Sequence, residues 1–308
     1  MSEPTRNIKL MKKIGIDLGG TSIKAGVVDG GRIVYKDSRP TDLTWGFEKT
    51  VDEIAALIKI VADLAKVDFK KCGVIGIGSP GLIDTAKGEV VYSNNIKWKN
   101  APLAKELGGR LGVPVKIHND AKAAALGESI YGAGKDYKTV ALLTLGTGVG
   151  GGIIRNGKIE ETQVAAGSLF GHMSINYNGR LCACGRKGCL EAYASATALV
   201  ADAKAVMKIN NLDGKAIFDT YRQGDVAAKK VVDNYIKYLG EGIASIINVC
   251  CPDAVILGGG LSGAGDILID GLKKYIGDKI FGAGLIKVDI ITSRLGNDAG
   301  IIGASLLI

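Results

Sequence analysis

Residues 13–28 read KIGIDLGGTSIKAGVV. Two apolar runs, 13–18 and 23–28, flank Gly19-Gly20-Thr21, the pattern of two strands joined by a glycine turn, and 32–39 continues it as a third strand. The pattern returns at 140–155 as VALLTLGTGVGGGIIR, with Asp17-Leu18-Gly19 and Thr144-Leu145-Gly146 standing 127 residues apart. Gly30 and Gly157 then mark the next turn in each copy. A strand–turn–strand unit met twice at this separation points to a duplicated domain.

Outward from the first copy, 47–67 carries Val51, Ile54, Ala55, Ile58, Val61, Ala62 and Ala65 at helical spacing. Strands are predicted at 73–78 and 113–118, with a helix at 101–111 that has Pro102 in its first turn. Asn119 or Asp120 is placed to cap a helix at 121–131. Beyond the second copy come a loop-rich stretch at 162–189, helices near 190–208 and 225–249, and a strand at 254–258 running into Gly258-Gly259-Gly260. A strand at 286–291 and a last helix from about 298 close the chain. Strands alternate with helices, so the fold class is α/β, and 308 residues suffice for two domains.

Composition narrows the function. Hydrophobic residues make up 47% and charged residues 23%, which excludes wholesale disorder. Lys+Arg 39 against Asp+Glu 31 gives +8, spread thinly, which suits an anionic small ligand better than nucleic acid. The opening MSEPTRNIKLMKK has no apolar core, and no run of eighteen apolar residues occurs, so a cytoplasmic protein with no membrane association is expected. The six cysteines are then thiols or metal ligands.

Glycine loops follow four predicted strands: Asp17–Thr21, Gly76–Gly81, Leu145–Gly150 and Gly258–Gly260. Glycine lets backbone N–H groups approach phosphate oxygens. Two G-x-G-x-x-G matches fail as dinucleotide fingerprints. Gly76, Gly78 and Gly81 run into Pro80 and lack an acidic residue about twenty positions on, while Gly146, Gly148 and Gly151 lead into a strand. Gly134-Lys135 is followed by Asp136, so it is no Walker A loop. Asp17 beside the first hairpin can orient Mg2+ on a polyphosphate, whereas the second hairpin has Thr144 in the matching place. His118-Asn119-Asp120 closes a strand, where Asp120 could take a proton from a substrate hydroxyl and Asn119 hold a neighbouring one. Helix capping is the alternative use of this segment. Ser93-Asn94-Asn95 supplies uncharged donors and acceptors. His172, Cys182, Cys184 and Cys189 form H-x9-C-x-C-x4-C, a spacing suited to a closed tetrahedral zinc site of structural type. Cys72, Cys250 and Cys251 read as buried thiols.

Together these motifs resemble the ROK family (repressors, uncharacterised proteins, sugar kinases), and in particular its glucokinase-like members. The resemblance runs from Ile14 to the last helix. It implies an actin-like ATPase (ribonuclease H-like) fold with two α/β domains and an interdomain cleft. The small N-terminal domain would be 1–119, completed by a C-terminal helix at about 296–308, and the large domain with its zinc loop 120–295. It implies Asp120 as catalytic base, with Gly81, Asn94, Asn95, Asn119, His172 and Glu191 around the sugar, His172 doubling as a zinc ligand. Asp17, Gly19, Gly20, Thr21, Lys24, Thr144, Gly146, Thr147 and Gly148 would hold the phosphates, with Gly259 and Gly260 against the adenosine. ATP, Mg2+ and structural Zn2+ are the implied cofactors, and a homodimer or homotetramer the implied assembly.

Two positions depart from the family pattern. Leu169, in the run Gly167-Ser168-Leu169-Phe170-Gly171-His172, stands where the family has a Glu that binds hydroxyls near the anomeric carbon. Leucine cannot accept a hydrogen bond, and an unpaired hydroxyl in a closed site costs about 1–3 kcal/mol. An inosose or inositol, an N-acetylated sugar or a ketose therefore joins glucose as a candidate acceptor, unless Ser168 compensates. Lys122 stands where the family has Asn. Three other readings compete with the kinase. One is a sugar-responsive repressor, for which the thirteen residues before Ile14 leave too little chain for a helix-turn-helix. Another is a ribokinase-like enzyme using Ser262–Asp266, and the last a non-catalytic sugar-binding regulator.

Overall fold

The computed structural model describes residues 12–160, 169–207 and 212–307. The opening residues 1–11, with Gly167, Ser168 and the end of the helix expected near 190–208, lie outside them. The chain divides into two compact units, residues 12–127 with 298–307, and residues 128–160 with 169–207 and 212–297.

The first unit is built on five strands: β1 (Lys13–Leu18), β2 (Ser22–Asp29), β3 (Arg32–Pro40), β4 (Ile75–Ser79) and, after the short strands described below, β8 (Val115–Asn119). Their order is β3-β2-β1-β4-β8. β1 runs antiparallel to β2 and parallel to β4, which is parallel to β8. Ile14, Ile16 and Leu18 alternate along β1 into the core, where α1 (Phe47–Leu64) buries Val51, Ile54, Ile58 and Val61 at helical spacing. The helix α2 (Leu103–Leu111) adds Leu103, Leu107 and Leu111, with Pro102 at its N-cap and Gly112 ending it in a left-handed conformation. A small antiparallel sheet of β5 (Leu82–Asp84), β6 (Glu89–Ser93) and β7 (Trp98–Ala101) lies within 82–101, where sequence reading placed no strands, and Asn94-Asn95 fall in the turn between β6 and β7.

The helix α3 (Asp120–Tyr131) leaves the end of β8. The division between units falls after Gly127, inside this helix, and not at residue 119 as expected. The packing explains the placement. Helix α9 (Ala299–Ala304) lies so close to α3 that a side chain on Gly303 would strike the Ala123 carbonyl, and one on Gly127 the Ala299 carbonyl. Backbone contact of this kind holds the first two turns of α3 and the C-terminal helix in one body.

The second unit repeats the plan with β9 (Thr139–Leu145), β10 (Val149–Arg155), β11 (Lys158–Ile159), β12 (Ala254–Gly258) and β13 (Asp289–Thr292), in the order β11-β10-β9-β12-β13. Again the first strand is antiparallel to its hairpin partner and parallel to the next. The duplication read from the glycine hairpins is thus a duplication of topology. Gly30 and Gly157, expected at equivalent turns, both take positive φ, 54° and 72°.

Helices cover this sheet. The stretch expected as one helix near 190–208 is two, α4 (Glu191–Ala194) and α5 (Ala196–Val206), because Ser195 turns extended and its hydroxyl caps α5 through the Ala198 N–H. Next come α6 (Gly214–Arg222) and α7 (Val226–Cys250), then α8 (Gly265–Ile276); α6 and α8 were not expected. Helix α7 buries Val232, Tyr235, Ile236, Leu239, Ile243, Ile246 and Ile247 along one face. Of the three cysteines read as buried thiols, Cys72 is buried and Cys250 half-buried. Cys251 is exposed, because it ends α7 with φ 43°. Among the described residues no helix is long and apolar enough to cross a membrane.

Candidate active site

In the first unit the β1–β2 turn and the end of β8 come together. Asp17 pairs in register with Lys24 on β2 and with Gly78 on β4, and the Lys24 Nζ lies 3.2 Å from its carboxylate. The Gly19 N–H donates to the Ser22 carbonyl at 2.9 Å, closing the turn around Gly20 and Thr21. Thr41 bonds to both sides of this turn, its hydroxyl to the Gly19 carbonyl and its N–H to the Thr21 carbonyl. Asp120 sits across Gly78, since a side chain on Gly78 would lie 3.2 Å from the Asp120 Cα.

Of the Asn119-Asp120 pair, Asn119 makes the bond of a helix cap. The Asn119 Oδ1 accepts from the Lys122 N–H at 3.2 Å and so caps α3. Its amide donates to the Gly81 carbonyl at 3.2 Å. The Asp120 Oδ1 accepts from the Ala121 N–H at 2.8 Å. The mass of protein around it strips water from its carboxylate, and the negative charge of Asp17 adds to this. Together they raise its pKa from 3.8 to about 6.

Gly81 has φ 113° and presses on Tyr92 and Ser93, bringing the Asn94-Asn95 turn beside this site. Both asparagines are exposed; Asn95 lies 3.6 Å from where a Gly20 side chain would start, whereas Asn94 accepts from the Lys97 ammonium at 3.1 Å. Ser93, named in that turn from sequence, and Ser79, which sequence reading did not name as a site residue, are both buried in the same segments. Lys122, flagged as a departure, is 1% exposed and among the largest buried side chains.

In the second unit the β9–β10 turn meets the Gly258–Gly260 loop. Thr144 pairs with Gly150 on β10 and with Gly258 on β12. The Gly146 N–H donates to the Gly148 carbonyl at 3.0 Å, and the Thr197 hydroxyl holds the Thr147 carbonyl at 2.8 Å. Gly259, with φ 84°, lies against the Leu145 backbone at a distance that leaves no room for a side chain, and Gly260 follows it. These are neutral loops of backbone amides.

The Cys/His cluster sits beside that turn. A short 3-10 turn, Phe170–His172, packs on β10, where a side chain on Gly171 would collide with Val149. A knuckle follows, closed by the Cys182 N–H to Arg186 at 2.8 Å and the Gly185 N–H to Cys182 at 2.9 Å, with Gly185 and Gly188 at positive φ. It brings the ligand atoms of His172, Cys182, Cys184 and Cys189 within 4.8 Å of one another. The Cys184 and Cys189 sulfurs are 3.7 Å apart, and Cys182 Sγ is 3.9 Å from His172 Nδ1. Tetrahedral zinc with bonds of about 2.3 Å to sulfur and 2.0 Å to nitrogen sets such edge lengths, so the residues fit the ion. Burial pushes the Cys182 thiol up to about 12, a penalty on the thiolate that a bound cation would offset.

Glu191 links the two features. Its Oε2 accepts from the Val149 N–H at 3.0 Å, and its Oε1 lies 3.6 Å from Cys182 Sγ. Leu169 is 39% exposed. Asp266, the base in a ribokinase-like reading, instead opens α8 and pairs with Arg222 at 3.1 Å.

Residues 13–308 match the ROK family. The chain is 38% identical to a glucokinase of Thermotoga maritima over 97% of each chain. It is 29% identical to the xylose repressor of Bacillus subtilis, covering 98% of this chain and 78% of that protein. A ROK family glucokinase from Streptomyces griseus, solved in complex with glucose and AMPPNP, superposes with a TM-score of 0.84 at 35% identity, over 96% of this chain and 98% of that one.

Proposed function

The chain belongs to the ROK family and is an ATP-dependent sugar kinase of actin-like ATPase fold, and from that premise we propose how its residues divide the work. It acts on a hexose, as the glucokinases it resembles do. Asp120 takes the proton from the attacking hydroxyl. The observation that carries this is a desolvated carboxylate facing Asp17, with a pKa near 6, while the neighbouring Asn119 caps the helix. A base of that pKa is ionised at neutral pH, yet basic enough to take the proton as the oxygen attacks. Phosphoryl transfer asks mainly for alignment and charge compensation.

Asn119, Asn95 and Gly81 line the same segments and would orient the acceptor. The glycine turns at 19–21 and 146–148 would offer N–H groups to phosphate oxygens, Lys24 would supply a cation at the first, and the adenosine would lie against Gly259-Gly260, where Gly260 has open space beside it. Mg2+ bound beside Asp17 would offset polyphosphate charge. Zinc at His172, Cys182, Cys184 and Cys189 would cross-link the knuckle and so hold His172 and Glu191 in place.

A second acceptor class is favoured by one observation. Leu169 presents an apolar side chain where the family pattern has a carboxylate, which admits an inositol-like or N-acetylated acceptor. ADP release measured over a panel of hexoses, amino sugars and inositol derivatives, with the wild type and Asp120→Asn, tests both. ADP should form with at least one hexose and cease in the variant. No ADP with any compound would overturn the kinase reading.

A further inference from the structure

Glu128, in the third turn of α3, is a fully buried carboxylate, 0% exposed. Burying a carboxylate is costly unless hydrogen bonds replace its water. Here backbone amides do so. Oε1 accepts from the Leu295 N–H at 2.7 Å, and Oε2 from the Ala133 N–H at 2.8 Å and the Arg294 N–H at 3.1 Å. Gly132 is a glycine for the same reason, since any side chain there would strike the Glu128 carboxylate.

The three amides belong to two separate stretches of chain. Ala133 follows α3, and Arg294-Leu295 lies on the connection from β13 to α9. The carboxylate therefore ties that connection to the end of α3. It does so beside Gly127–Glu128 and Asn297–Asp298, two of the places where the chain passes from one compact unit to the other.

What the connection delivers is α9. That helix sits in backbone contact with α3 at Gly127 and Gly303, and Gly300 leaves room for the Asp17 carboxylate, which a side chain there would strike. The two acidic groups of the candidate site thus depend on the same clamp. Asp120 is the first residue of the helix that carries Glu128, and Asp17 rests on the helix whose approach Glu128 fixes.

We infer that Glu128 is a positioning residue for phosphoryl transfer, holding the lead-in to α9 against α3 so that Asp17 and Asp120 face each other at the working distance. The inference rests on the roles given to those two residues above. A structural cap alone would affect stability. A positioning clamp also sets the surroundings of Asp120, and these show in the pH profile.

The test uses the full chain with Glu128→Gln, which keeps the shape and part of the acceptor capacity, and Glu128→Asp, which keeps the charge but withdraws it by one methylene. Steady-state kinetics would be measured from pH 4.5 to 8.5 below the melting temperature of each variant. The expected result for Glu128→Gln is a kcat lowered about 10- to 100-fold, the order that a small misplacement of reacting groups costs. The KM for the hexose should stay within about threefold, and the acid limb of kcat/KM should move toward the ordinary carboxylate range. Glu128→Asp should fall between this and the wild type. A lowered melting temperature with kcat and the acid limb unchanged would overturn the inference. Should Glu128→Gln fail to fold, the Asp variant decides by the same criterion. A wild type that phosphorylates no hexose would instead remove the reading of Asp120, and this inference with it.

Discussion

The two sheets share strand order, pairing sense and a glycine hairpin in the same place, yet their hairpins carry different chemistry. On β1, Asp17 stands opposite Lys24 and beside Gly78; on β9, Thr144 stands opposite Gly150 and beside Gly258. The sheets part again at the outer strand. β8 runs straight into the Asp120 helix, whereas β13 leads to the connection held by Glu128. One framework thus supports a charged end in the first unit and a neutral loop of amides in the second. Topology sets where ligands can approach a sheet; the residue at one register position sets what the sheet does with them.

That contrast can be broken most sharply at its charged end. Asp120→Asn should lower kcat by about 10²- to 10⁴-fold, the range for loss of a general base, with hexose affinity by calorimetry little changed. A drop of only a few fold would assign the proton to another group. The same substitution should stabilise the protein at neutral pH. The folded carboxyl has its pKa raised to about 6 from 3.8, so its protonated form favours folding. That contribution is complete below pH 3.8 and is lost as pH rises through 6. At pH 7.5 the ionised group costs up to about 3 kcal/mol, which the amide relieves. Thermal melts at pH 7.5 should therefore show Asp120→Asn above the wild type, and the gap should close near pH 4.

The hairpins themselves supply the next comparison. Asp17→Asn should reduce kcat about 100-fold or more, and the matching Thr144→Val less than about 10-fold, measured at saturating Mg2+ and ATP. Equal losses would show that the asymmetry has no catalytic meaning. Smaller still is the effect expected at the knuckle. Cys184→Ser should lose bound zinc by atomic absorption, with about one ion per chain in the wild type. It should also lower the melting temperature by several degrees, while Cys251→Ser, at an exposed helix end, changes neither. Zinc retained in Cys184→Ser would remove that cysteine from the ligand set.

Local signals were the legible ones. The duplication could be read because each hairpin packs its strands, glycines and turn into about sixteen residues, and the Cys/His cluster because its four members fall within one stretch of chain. The strands β5 to β7 could not, since each is three to five residues long and 82–101 shows no sustained alternation. Helix α8 was hidden behind a glycine run that reads as loop, and the break between α4 and α5 rests on one hydroxyl, that of Ser195. At the site, either Asn119 or Asp120 could cap the helix on sequence, and the bond from the Lys122 N–H to Asn119 shows Asn119 in that place. Glu128 gave no signal at all, because its partners Arg294 and Leu295 stand 166 and 167 residues away.

The most direct measurement is the pH dependence of kcat/KM for the preferred hexose, taken on the wild type and on Asp120→Asn. The wild type should show a single acid limb with an apparent pKa near 6 and a plateau above it, and the residual rate of the variant should show no such limb. A wild-type profile flat from pH 5 to 7, or a limb near 6 that survives in Asp120→Asn, would contradict the assignment of Asp120 as the base.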